Sequence, residues 1–281
     1  MDAKNSFISD IKTYAEIMKL GVIKSDIEQS IEDANTNNLS YEEFLYGLLQ
    51  KKCDIRKYNL TQSRIRTASF PYKKYLEDLS IEDLPADAQL KLKHLSGLKF
   101  IKDGQNVILS GNCGTGKTHI AIALGIKACL EGYKVLFTTV PLFITQLKEL
   151  KSTKSLRGYQ NKLSKYDLVI LDEFGYISSD KEGAELLFTN ISLRAGQKST
   201  IITTNLSFDR WGEIFGDPVM TAAMTDNMSK FPFMLQKPLC SIFIKQKFFI
   251  FAGLFFLYVY VCFESLFFKI IYIIPGQQKY I

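Results

Sequence analysis

Apolar residues recur at helical spacing through the first hundred positions of the chain. Ile8, Ile11, Tyr14, Ala15 and Met18 share one face of a helix. Ser25 followed by Glu28 has the form of a capping box, in which each side chain accepts from the other residue's backbone N–H. It predicts a second helix opening at Ser25. Ser40 with Glu43 repeats the device ahead of Phe44, Leu45, Leu48 and Leu49, and the Asn-rich stretch 35–38 reads as a turn. Pro71 and Pro85 bracket a linker. The pattern predicts a small all-α N-terminal domain over 1–75, then a linker and leading helix over 76–100.

From about residue 100 the period changes. Residues 106–110 (NVILS), 134–139 (KVLFTT), 167–171 (DLVIL) and 199–204 (STIITT) read as strands. Residues 118–130, 141–150 and 182–194 read as helices, the last opened by Ser179 with Glu182. Two short helices are expected around 208–215 and 218–228. Strands so uniformly apolar are buried on both faces, so the alternation predicts an α/β fold with a parallel sheet covered by helices. This core is expected over 101–228, leaving 229–281 as a hydrophobic tail.

Composition narrows the class. Of 281 residues, 47% are hydrophobic and 23% charged, which excludes collagen-like and wholly disordered chains. Five cysteines without a CxxC pair, and only two histidines, argue against a disulfide scaffold or a zinc site. The opening MDAKNSFISDIKTY has no apolar run to act as a secretory signal, so a cytoplasmic location is expected.

The net charge of +6 conceals uneven regions. Residues 44–75 carry eight Lys/Arg and one acid: Lys51, Lys52, Arg56, Lys57, Arg64, Arg66, Lys73 and Lys74, interleaved with Tyr58, Phe70, Tyr72 and Tyr75. Such a run is either a solvated helix face or a nucleic-acid surface, with phosphates for the cations and bases or sugars for the rings.

Gly111-Asn112-Cys113-Gly114-Thr115-Gly116-Lys117-Thr118 fits G-x-x-x-x-G-K-S/T, directly after a strand and before a helix. The glycines let successive N–H groups turn inward onto phosphate oxygens, and the helix N-terminus adds its dipole. Lys117 neutralises β/γ-phosphate charge, and Thr118 offers a hydroxyl to Mg²⁺. Asp172 and Glu173 emerge at the end of the strand LVIL, where open α/β sheets bind ligands. Asp172 is expected to hold Mg²⁺ and Glu173 to orient or deprotonate the attacking water. Asn205, ending the next strand, is expected to sense the γ-phosphate or that water. The cofactors expected are therefore ATP and Mg²⁺.

GNCGTGKTHIAIALG, YKVLFTT, YDLVILDEFGY and STIITTNLSFDRWGEIFGDPVMTAAMTD, with LSYEEFL and SFPYKKYLEDL upstream, together resemble the IstB-like ATPases. These are AAA+ helpers encoded beside insertion-sequence transposases and related to the helicase loader DnaC. The resemblance runs from about residue 7 to Asp226. It implies a P-loop AAA+ core, a helical N-terminal region that binds double-stranded DNA, homo-oligomers on that DNA, and a transposase (alternatively a replicative helicase) as partner. It turns the basic segment towards DNA through Lys51, Lys52, Arg56, Lys57, Arg64 and Arg66. A hydrolysis-dead ATP- and DNA-binding scaffold is a further alternative.

The resemblance also marks a departure. Asn227 stands where the family has an arginine finger, and no last core strand or Ser-Tyr-Arg sensor is expected after Met228. Arg194 and Arg210 remain as trans-acting cations. An arginine finger is worth about 10³–10⁵ in rate, so hydrolysis is expected to be impaired. Beyond Met228, Phe, Ile, Lys and Tyr make up 29 of 53 residues, types with A/T-rich codons. A frameshift near Met228 explains both features. The uncharged run 248–263 leaves a membrane anchor through 248–274 as the second reading, with buried core strands third.

Overall fold

The computed structural model describes residues 2–80, 84, 86–175, 180–207, 210–215, 221 and 233–236, with side chains from residue 6 onward except at 233–236. It divides into two compact units, residues 1–67 and 68–281. The border falls ahead of the expected residue 75.

The first unit is three helices, α1 (Asp2–Ile17), α2 (Gly21–Thr36) and α3 (Tyr41–Thr67). The capping box at Ser40 forms as expected: Ser40 N donates to Glu43 Oε2 at 2.9 Å, and Glu43 N to Ser40 Oγ at 3.2 Å. The one expected at Ser25 does not. Lys19 takes a left-handed φ of 56° and Leu20 N returns to Ala15 O at 2.7 Å, so the chain has already turned and α2 starts at Gly21. Ser25 therefore lies inside the helix, its hydroxyl on Val22 O. The buried apolar side chains of this unit are few: Ala15, Ile27, Leu48 and Ile65. Lys12–Glu28, Lys24–Glu16 and Lys51–Asp26 tie the helices, but exposed pairs are worth only about 0–1 kcal/mol each.

The second unit opens with a 3₁₀ turn (Leu76–Asp78), α4 (Ala86–Ser96) and α5 (Lys99–Lys102). Strand and helix then alternate: β1 (Val107–Ser110), α6 (Lys117–Leu130), β2 (Val135–Thr139), α7 (Val140–Ser152), α8 (Leu156–Leu163), β3 (Leu168–Phe174), α9 (Lys181–Ser192), β4 (Ser199–Thr204), α10 (Gly212–Phe215) and β5 (Phe233–Gln236). The five strands are parallel in the order β2-β3-β4-β1-β5. The expected parallel α/β sheet is thus present. Three features differ from expectation. The N-cap of α9 is Asp180, whose Oδ1 accepts from Gly183 N at 3.2 Å, whereas the expected cap Ser179 lies outside the described residues. The helix α8 is not among the expected helices, and β5 supplies a last strand where none is expected after Met228. It pairs with β1 from Val107↔Phe233 to Ser110↔Gln236. Of the expected helix at 218–228 only Thr221 is described, and it is helical; Asn227 and the tail from 237 onward lie outside the described residues.

Burial explains the order. Every residue of β1 and β4 is buried, the signature of strands covered on both faces. On one face lies α6, apolar nearly all round, with Ile120 through Ile126, Ala128 and Cys129 buried. Gly125 permits this approach, because a Cβ there would come within 2.8 Å of Ile170 Cδ1 and the Phe70 ring. On another face Phe143, Leu147, Phe174, Leu187 and Trp211 gather, with Trp211 and Phe174 rings 4.7 Å apart. Each such side chain contributes about 1.5–3 kcal/mol on burial. Residues ahead of the first strand join the edge: Phe137 N of β2 donates to Ala68 O at 2.8 Å, and the Phe70 and Phe137 ring centroids lie 6.0 Å apart, tilted by 56°. Among the described residues no helix is long and apolar enough to cross a membrane.

Candidate nucleotide-binding site

The site is built where β1 ends. The β1–β4 ladder carries one step past the strand, with Gly111 N donating to Thr204 O at 3.2 Å. The loop then curls through Gly114 (φ 77°) and Gly116 (φ 80°). A Cβ at either would meet nothing within 4 Å, so glycine is required here by backbone conformation rather than by space. Gly116 is the N-cap of α6 and offers no side-chain cap, which leaves the first N–H groups of the helix to an anion. Lys117 Nζ donates to Gly111 O at 2.8 Å and Asn112 O at 2.7 Å, so the ammonium is held over the loop. Burial pushes its pKa down, opposed by Cys113 and Asp172.

The second half comes from β3 and β4, the strands beyond β1. Asp172 is 5% exposed. Its Oδ1 accepts from Thr118 Oγ1 at 2.9 Å and from the Thr203 hydroxyl of β4. Carboxylate and hydroxyl oxygens side by side are hard donors, which suits Mg²⁺. Glu173 is exposed and left-handed at φ 64°. Asn205, one residue past β4, directs Nδ2 to Cys113 Sγ at 3.9 Å. The sequence-expected set Lys117, Thr118, Asp172, Glu173 and Asn205 therefore lies together at the C-terminal edge of the sheet.

Other expected residues lie elsewhere. Arg194 is not available as a trans-acting cation. It is 4% exposed at the opposite end of the strands, donating to Leu163 O, Tyr166 O and Ser199 O, and burial pushes its pKa down to about 10. Its work is to satisfy backbone carbonyls. Arg210 is exposed and forms a bidentate pair with Glu213, 2.9 Å at each contact. Among the basic residues, Lys51 pairs with Asp26 and Lys52 with Lys19 O, while Arg56, Lys57 and Arg66 are exposed and Arg64 half-buried. Tyr72 stands edge-on to His119 at 5.2 Å, beside Thr118. Its pKa is raised by burial and then by the charge of Asp172.

Two features escaped the sequence reading. Thr203 is a buried hydroxyl in a strand closed on both faces, and its signal is that a polar residue there needs a partner. Lys154, Arg157, Lys162 and Lys165 form a second exposed cationic group around α8, legible only as a charge count along 148–165.

A parallel sheet with this loop, lysine and carboxylate edge defines a P-loop nucleotide-binding fold. The chain belongs to the IstB-like ATP binding protein family, whose profile matches residues 13–237. It is 36% identical over 75% of its length to a protein named as an ATP-binding protein of insertion sequence IS21 from Pseudomonas aeruginosa, covering 80% of that protein. It is 31% identical over 80% of its length to the one named for insertion sequence IS232 from Bacillus thuringiensis subsp. berliner, covering 90% of it. Among solved structures, the replication initiator DnaA bound to AMPPCP and single-stranded DNA matches with a TM-score of 0.50 at 18% identity, over 63% of this chain and 55% of that one, a likeness of fold alone. The family match runs past Met228 to residue 237 and takes in β5, so the break with the family falls later than residue 228.

Replacing Lys117 by Ala removes the cation held over the loop. Calorimetric titration should show ATP affinity falling at least about tenfold, the loss of one charge-assisted contact of roughly 1.5–3 kcal/mol. Equal affinities in parent and variant would contradict the assignment.

Proposed function

We propose that this chain binds ATP with Mg²⁺ at the edge formed by β1, β3 and β4, binds double-stranded DNA, and assists DNA transposition as a homo-oligomer beside a transposase. The observation that carries the reading is the meeting of Lys117, Thr118, Asp172, Glu173 and Asn205 at one edge. Lys117 and the loop N–H groups take the phosphates, and Thr118 with Asp172 holds the metal. When bound, Mg²⁺ supplies charge neutralisation on the phosphate oxygens. Glu173 receives a proton from water, and Asn205 orients that water or the terminal phosphate. The names of the relatives, all ATP-binding proteins of insertion sequences, support the transposition reading.

The DNA surface is assigned to the second half of α3. Arg56, Lys57 and Arg66 are exposed there and Arg64 is half-buried. No base-reading motif accompanies them, so binding is through phosphates and is largely indifferent to sequence. With Lys51 and Lys52 engaged within the unit, Arg56, Lys57, Arg64 and Arg66 carry it. On duplex DNA, log K should fall by about 0.9 per log of salt concentration for each phosphate contact. Replacing these four residues with Gln should flatten that slope, and an unchanged slope would reduce the run to a solvated face.

Turnover is weak on this reading. The transition state gathers negative charge on the terminal phosphate, and Lys117 with Mg²⁺ neutralises only part of it in cis. Asn227 carries no charge, Arg194 is buried, and Arg210 is paired with Glu213. The purified full chain should bind ATP and show little hydrolysis, with or without DNA. Vigorous DNA-stimulated phosphate release would overturn this and direct attention to Arg210.

A further inference from the structure

β4 ends in two adjacent threonines, Thr203 and Thr204, each 2% exposed. Buried hydroxyls need partners, and these two are directed at the strand that carries Asp172. β3 and β4 run in register from Leu168↔Ser199 to Leu171↔Ile202 and resume at Phe174↔Thr204. Between those points Asp172 and Glu173 together stand opposite the single residue Thr203. This is a β-bulge, a device that re-aims a side chain and is frequent beside active sites. Its extra residue is Glu173, whose φ of 64° is disfavoured for any residue with a Cβ.

Something must hold that conformation, and hydrogen bonds to Thr203 do so. Its Oγ1 accepts from Glu173 N at 3.0 Å while donating its proton to Asp172 Oδ1. One hydroxyl serves both roles at once. Past the bulge, where the strands are back in register, Thr204 donates to Phe174 O at 2.8 Å and accepts from Leu206 N at 3.1 Å, and bonds neither Asp172 nor Glu173. The second protein donor to Asp172 is Thr118, the hydroxyl assigned to the metal. Thr203 is then the donor that remains on the carboxylate.

We propose that Thr203 is a positioning residue of the nucleotide site: its hydroxyl holds the bulge that fixes Asp172 relative to Glu173, and so supports the Mg²⁺-dependent part of ATP binding. This rests on the ATP·Mg²⁺ reading of the site. Thr203 acts through the two residues that it bonds, Asp172 and Glu173.

The test is ATP affinity of the full chain, measured by calorimetry with Mg²⁺ and again with EDTA. Thr203→Val removes the hydroxyl and keeps the shape, Thr203→Ser restores the hydroxyl, and Thr204→Val removes a hydroxyl that does not bond Asp172. The gain in affinity conferred by Mg²⁺ should fall about tenfold in Thr203→Val, from the loss of one hydrogen bond to a charged group. It should persist in Thr203→Ser and Thr204→Val, with affinity in EDTA alike in all. A parental Mg²⁺ gain in Thr203→Val, or an equal loss in Thr204→Val, would overturn the proposal. Should Thr203→Val not fold, the Glu173 amide of the parent decides: slow hydrogen exchange supports the bond to Thr203, and exchange at the rate of an open amide sinks it. A parent that gains nothing from Mg²⁺ overturns the metal reading itself, so the parent's own ratio separates the two failures.

Discussion

The buried carboxylate of Asp172 is the point on which the nucleotide edge is organised. A carboxylate that is 5% exposed is costly unless hydrogen-bonded, and its two hydroxyl donors come from different elements. Thr118 brings the first turn of α6, and Thr203 brings β4. Fixing these two together with β3 fixes the start of α6, hence where the loop 111–116 must curl. It also requires β4 to lie between β1 and β3, which is the observed strand order. Sheet topology and phosphate chemistry are here one constraint. The strands are ordered so that a loop lysine, a carboxylate pair and an amide meet at a single edge.

The two units answer to different physics. The second is held by strands buried on both faces and by an almost wholly apolar helix between sheet and solvent-side elements. Among its described residues the first has four buried apolar side chains and three exposed ion pairs, and α3 extends over 27 residues, about 40 Å at about 1.5 Å per residue. A long helix with few burial demands can carry a run of cations without disturbing a core. The second unit carries the P-loop edge, and the first carries the exposed cations of α3.

What was legible in the sequence was local. The P-loop is eight consecutive residues whose backbone needs no distant partner to be recognised, and β4 was placed at 199–204 because a doubly buried strand reads as one unbroken run. The Ser40–Glu43 cap is likewise settled within four residues. What was missed depends on neighbours distant in the chain. The bulge at Asp172–Glu173 exists only as a register shift against β4, so no property of LVILDEF alone reveals it. β5 is four residues, FMLQ, in a phenylalanine-rich stretch, and becomes a strand through pairing with β1 more than a hundred residues earlier. Arg194 misled because arginine reads as surface, whereas here three backbone carbonyls satisfy a buried guanidinium. The Ser25 box failed because a left-handed Lys19 had already restarted the helix.

On the proposed reading Lys117 lies against the phosphates of bound ATP. An ATP analogue carrying an acyl group on its terminal phosphate tests it, since a lysine amine at the phosphates attacks the acyl carbonyl, keeps the acyl group and releases ATP. Peptide mass spectrometry of the treated full chain should find the label concentrated at Lys117 and suppressed by excess ATP with Mg²⁺. Label spread evenly over the exposed lysines of α3 and α8, with no suppression by ATP, would contradict the account.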